Sequence, residues 1–164
     1  MTLSLNDKIF TILPDRVDKT ITLIGTGATA KNNIFLVTGS VELVSIVGQK
    51  ISGAMTNLTA GFLELTDGAD ITADGIVLSG LANGTTFAKT GLAAAALDLA
   101  DNVGGKVTEA AAAGAIYSPC ILTAKTAVAT YVIFTYTTSD APIVGTIKWV
   151  AEYKSINGGT LTAV

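Results

Sequence analysis

The stretch Gly145-Thr146-Ile147-Lys148-Trp149-Val150-Ala151-Glu152-Tyr153-Lys154 decides the fold class. In an extended chain Ile147, Trp149, Ala151 and Tyr153 fall on one face, and Lys148, Glu152 and Lys154 on the other. A helix of period 3.6 would scatter those four apolar residues around its axis, whereas a strand collects them on one side. The stretch therefore reads as a strand with one buried and one wet face. Tyr131 to Thr138 is different. Tyr131, Ile133 and Thr135 share one face and Val132, Phe134 and Tyr136 the other, so both sides are largely apolar or aromatic. Such a strand is central in its sheet or covered by a partner, which makes Tyr131, Phe134 and Tyr136 candidate interface residues.

The rest of the 164-residue chain has the same chemistry: 24 Thr, 15 Ile and 13 Val make nearly a third of it β-branched, and branched side chains suit a pleated surface. The 17 Gly cluster in turn sequences such as Asp67-Gly68, Asp74-Gly75, Asn83-Gly84, Gly104-Gly105 and Asn157-Gly158-Gly159. Strand-like runs recur at Lys8 to Leu13, Lys19 to Ile24, Asn33 to Thr38, Ser40 to Val47, Gly61 to Thr66, Gly75 to Ser79, Thr85 to Lys89 and Ala115 to Thr123. About ten short strands predict an all-β fold, a jelly-roll-like sandwich or barrel, because short strands need two sheets or a ring to cover their edges. Ser45 to Ala60 alternates weakly and is expected to be an excursion between strands. Ala-rich Leu92 to Ala100 reads as a small-side-chain strand or loop, with a short helix as the alternative. With no repeat or linker, residues 1–164 read as one β-rich domain. Its start, Met1 to Leu13, carries Leu3, Leu5, Ile9 and Phe10 and is either an arm reaching a neighbour or an edge strand of the domain's own sheet.

Charge narrows the function. Only 14% of residues are charged, against roughly 25% in soluble domains. Acidic residues number 13 and basic ones 10, for a net charge of -3. The pI is near 4.7. Without a basic cluster there is no groove for nucleic acid. The absence of His removes the commonest general base and neutral metal ligand, so neither an enzyme nor a cofactor is expected. Mean hydropathy is high at +0.56, yet no run reaches the ~18 apolar residues of a spanning helix, so no membrane is implied. The start lacks the cationic n-region of a signal peptide, and synthesis inside the cell is expected. The single Cys120 excludes an internal disulfide and reads as a small buried hydrophobe.

Several motifs have plainer readings. Gly25-Thr26-Gly27-Ala28-Thr29-Ala30 matches a dinucleotide fingerprint, but a strand follows it where a helix N-terminus is needed, so a hairpin is expected. Asp67, Asp70 and Asp74 lie close enough for a calcium loop, although Asp before Gly is ordinary turn chemistry. Nothing places any two of Glu42, Glu64, Glu109 and Glu152 across a cleft. Ser118-Pro119-Cys120 has nucleophiles without a base. Trp149, Tyr153, Tyr131, Phe134 and Tyr136 form either core or a stacking platform for sugars. Asn57-Leu58-Thr59 and Asn83-Gly84-Thr85 are glycosylation sequons only in a secreted eukaryotic chain.

The segment Ser79-Gly80-Leu81-Ala82-Asn83-Gly84-Thr85, the run Leu92-Ala93-Ala94-Ala95-Ala96 and the ending Gly145 to Ala163, with its Lys148-Trp149 pair and Gly-rich Asn157-Gly158-Gly159, resemble small virion proteins of tailed bacteriophages. Ile34 to Gly39 and Val41 to Gly48 are similar to the N-terminal part of such proteins. The Ser155-Ile156 pair departs from their frequent Pro-Leu. The resemblance implies a capsid decoration, or cement, protein on the outer surface of the virion head, made in the bacterial cytoplasm. It would be a homo-oligomer, a trimer by analogy with proteins at three-fold positions, with the major capsid protein as partner. A head-fibre base, a tail component and a carbohydrate-binding β-sandwich module are the alternatives.

Overall fold

A computed structural model describes residues 13–25, 27–55, 58–72, 77–89, 98–100, 120–139 and 143–164. They contain eight strands and no helix: β1 (Asp15–Gly25), β2 (Thr29–Ala54), β3 (Leu58–Leu65), β4 (Thr86–Ala88), β5 (Asp98–Ala100), β6 (Cys120–Thr123), β7 (Thr130–Thr138) and β8 (Ile143–Ala163). All belong to one antiparallel sheet, which does not close into a barrel.

The all-β expectation holds, but the strands are not uniformly short. β2 has 26 residues and β8 has 21. The separate runs Asn33 to Thr38 and Ser40 to Val47 are one strand, and Ser45 to Ala54 continues it where an excursion was expected. Asn157-Gly158-Gly159 is likewise no hairpin turn: β8 passes through it. The Gly25-to-Thr29 connection does join strand to strand, yet β1 and β2 are not paired with each other, since β1 pairs with β8. Residues 77 and 78 carry no strand. Of the runs Lys8 to Leu13, Leu92 to Ala100 and Ala115 to Thr123, residues 8–12, 92–97 and 115–119 lie outside the described residues.

β2 organises the sheet. One of its edges pairs with β8 from Phe35 to Ala54; the other meets β7, then β6, then β4 in succession. Alternation along β2 changes phase. Val41 and Leu43 point inward, and after a bulge at Val44 the inward positions become Ile46, Gly48 and Lys50. One extra residue flips the pleat, which leaves the bulge residues Val44 and Ile51 exposed.

The sheet folds over on itself. Trp149 faces Gly48 on β2, and Phe134 faces Asn32. Those two β2 positions would lie about 50 Å apart on a straight strand. The rings of Trp149 and Phe134 nevertheless sit 5.1 Å apart. Phe87 meets Trp149 edge-on at 5.3 Å, and Tyr136 stacks on Phe134 at 5.4 Å. The Tyr136 hydroxyl then clasps the end of β1, accepting from Ile24 N–H at 3.2 Å and donating to Ile24 C=O at 3.1 Å. β7 takes the first of the two expected alternatives: it is central, bounded by β2 and β3 and buried from Val132 to Tyr136 within the chain itself.

Candidate interaction surface

The half of the sheet made by β1, β8 and the second part of β2 turns its inner face to Trp149, and its outer face carries the side chains of alternate residues. Facing triplets run down this outer face. They are Ile24–Val144–Ala54, Thr22–Thr146–Ser52, Thr20–Lys148–Gln49, Asp18–Val150–Val47 and Arg16–Glu152–Ser45. Its upper end is aliphatic and open: Ile24 is 69% exposed, Val144 65% and the bulge residue Ile51 42%. Lower down, Arg16, Val47, Gln49, Lys148, Val150 and Glu152 line a shallow depression of about 300 Å³. There Lys148 Nζ lies 3.1 Å from Asp18 Oδ2, and Ser45 Oγ donates to Glu152 Oε2 at 3.3 Å. This shallow hollow, with Val47 and Val150 among its lining residues, is open to contact with another surface.

The predicted site residues are dispersed. Leu3, Leu5, Ile9 and Phe10 lie outside the described residues. Phe134 and Tyr136 are buried in the protein's own core against Trp149, which removes them from any face a partner touches; Tyr131 is half-buried. Burial of Trp149, Tyr153, Phe134 and Tyr136 likewise takes away the ring faces on which sugar stacking depends. Ile24 and Val144 were missed, although the alternation held the signal. Continuing the wet face of Lys148 back through Thr146 places Val144 on it.

The acidic candidates are engaged elsewhere. Asp67 lies 2.9 Å from Lys125 Nζ and accepts the Ala69 N–H at 3.2 Å, as an Asx turn does. Lys125 and that N–H hold its carboxyl below the usual range. Asp70 is exposed and bridges to Glu64, and Asp74 lies outside the described residues. Among the described residues no three His, Cys, Asp or Glu gather for a metal.

Glu64 is buried on β3 beside β7, 2.7 Å from Lys31 Nζ and accepting from the Thr135 hydroxyl. Burial pushes its carboxyl up, but the Lys31 and Thr135 contacts outweigh burial and the net direction is down. Lys50 is buried too, its ammonium donating to the Leu81 carbonyl, and desolvation lowers its pKa. The Cys120 thiol is half-buried against the core and raised by that burial, with Lys89 pulling the other way. Such a thiol is a poor nucleophile. No family model, curated protein or solved structure matches the chain.

Proposed function

We propose that this chain is a structural, non-enzymatic module of a bacteriophage virion, a self-associating decoration protein that binds the outer capsid surface and bridges neighbouring shell subunits. The carrying observation is the row of exposed aliphatic side chains, Ile24, Val144 and Ile51, on an otherwise regular sheet face. Aliphatic residues clustered in the open at a strand end favour burial against another protein. An 11-residue β1 with two neighbouring strands covers roughly 500 Å², less than the ~800 Å² per partner of a standard interface. A decoration protein resolves that shortfall by multivalency, since each contact after the first is made at high effective concentration. The jelly-roll-like arrangement belongs to the same proposal.

The test is binding to shells stripped of the protein, followed by cryo-electron microscopy of the particle. Ile24→Asp with Val144→Lys is expected to abolish co-sedimentation while changing stability by less than about 0.5 kcal/mol, because both sites are exposed and the two new charges, which face each other across β1 and β8, are opposite. Density over the shell lattice supports the reading. Density in a tail or fibre would reassign the protein to that part of the virion, and its absence from any particle would discard the virion role.

A further inference from the structure

An open sheet has edges, and this one treats two of them differently. The outer edge of β3 is covered by the chain's own return: Ile71 N–H bonds Leu63 C=O at 2.8 Å, Leu65 N–H bonds Ala69 C=O at 2.9 Å, and Leu63 N–H bonds Thr72 Oγ1 at 2.8 Å. β1, by contrast, pairs with β8 alone among the described residues.

The Tyr136 clasp shows which backbone groups of β1 face outward. Both the N–H and the C=O of Ile24 meet the Tyr136 hydroxyl, so they point away from β8. Along an antiparallel strand this direction alternates residue by residue, and the β1–β8 register has no shift. Arg16, Asp18, Thr20 and Thr22 therefore aim their backbone donors and acceptors off the edge, and all four residues are exposed.

The edge reads Asp15-Arg16-Val17-Asp18-Lys19. Its signs run minus, plus, neutral, minus, plus, a pattern that inverts about Val17. We infer that β1 pairs edge to edge and antiparallel with β1 of a second copy of this chain, about a two-fold axis at Val17. Outward-bonding residues must face outward-bonding residues, so the axis passes through a residue and not between two. Placed on Asp15, Arg16, Asp18 or Lys19, it would set that charge against its own copy, which is unfavourable. Placed on Thr20, it would direct Arg16 at Ile24, whose groups Tyr136 already holds. On Val17 it sets Arg16 opposite Asp18 and Asp15 opposite Lys19, each twice by symmetry.

In that register Arg16 and Asp18 of the second copy exchange N–H···O bonds in both directions. Thr20 N–H reaches the Pro14 carbonyl, and Pro14, lacking an N–H, ends the ladder. Asp18 already has Lys148 at 3.1 Å, whereas no ion pair among the described residues engages Arg16. Charged residues ordinarily guard a sheet edge against pairing; here those charges disfavour the registers centred on Asp15, Arg16, Asp18 and Lys19, and the Tyr136 clasp on Ile24 blocks the one centred on Thr20, which leaves Val17. The inference does not rest on the capsid reading, and a two-fold contact is not the three-fold assembly that the virion resemblance implies.

Sedimentation velocity on the full chain over a concentration series is expected to show a monomer–dimer equilibrium. Arg16→Asp and Asp18→Arg, made singly, each oppose like charges at two symmetric contacts and are expected to weaken dimerisation roughly tenfold or more, and the double exchange to restore it. In a Cys120→Ser background, Val17→Cys is expected to cross-link under mild oxidation, since residues opposed in a non-bonded pair lie about 4.5 Å apart at Cα, within disulfide reach. Thr20→Cys, which faces Pro14, is expected not to. Circular dichroism checks that each variant is folded, and the cysteine pair tests the register even where a charge variant is not. A chain that stays monomeric at its highest soluble concentration, an oligomer indifferent to the charge exchanges, or equal cross-linking at both cysteines overturns the inference.

Discussion

Glu64 shows how one side chain sets a pH dependence. Its carboxylate is buried on β3 with Lys31 and Thr135 as partners, and its folded pKa lies below the ordinary value. A depressed carboxyl adds stability above its unfolded pKa of about 4.3 and loses it as pH falls through the lower folded value. Glu64→Gln is therefore expected to cost about 1 to 3 kcal/mol at pH 7. Thermal melts of the two proteins should converge as the solution is acidified below that window; a gap that stays constant down to the acid limit would remove Glu64 from the pH response. A single acidic residue in an alternating strand carries no such information in the sequence. Lys31 is 33 positions away and Thr135 is 71, and only the pairing of β3 and β2 with β7 brings them together.

At the scale of the element, the bend in the two long strands sits where Gly39 on β2 faces Asn157, Gly158 and Gly159 on β8. Gly39, Asn157 and Gly158 all have positive φ, at 59°, 50° and 80°. A side chain on Gly158 meets nothing within 4 Å, whereas a Cβ on Gly159 would lie 2.0 Å from the Ser40 carbonyl oxygen. The two glycines thus do different work. Gly158→Ala is expected to cost about 1 to 2 kcal/mol, the left-handed penalty alone. Gly159→Ala is expected to cost about 3 kcal/mol or more, because backbone atoms cannot yield as a side chain does. Urea denaturation of both variants measures the difference, and equal losses would show that the close approach at Ser40 does not matter. The glycine pair was legible as punctuation, but a hairpin turn and a bulge use the same residues. What separates them is whether the chain beyond reverses or continues, and that depends on β2 being there to pair with.

For the whole molecule, Trp149 joins the two parts of the folded-over sheet, touching Phe87 from β4 and Phe134 from β7. Trp149→Ala is expected to cost about 3 to 5 kcal/mol. Tryptophan fluorescence and far-UV circular dichroism should report one coincident unfolding transition, since neither part of the sheet keeps its core without the other; two separated transitions would mean that the parts fold independently. The all-β class, the inward row Ile147, Trp149, Ala151 and Tyr153, and the two covered faces of β7 were readable from residue order, because strand character and pleat alternation are local properties. Strand number and length, the fold-over, and the surface left for partners were not. A one-residue bulge reverses which residues face inward without changing composition. That Tyr136 and Phe134 are core while Ile24 and Val144 stand in the open was settled by contacts between residues more than a hundred positions apart, as in the bond from Tyr136 to Ile24. Local alternation says that a strand has two faces; only the packing of the whole sheet chooses which of them water keeps.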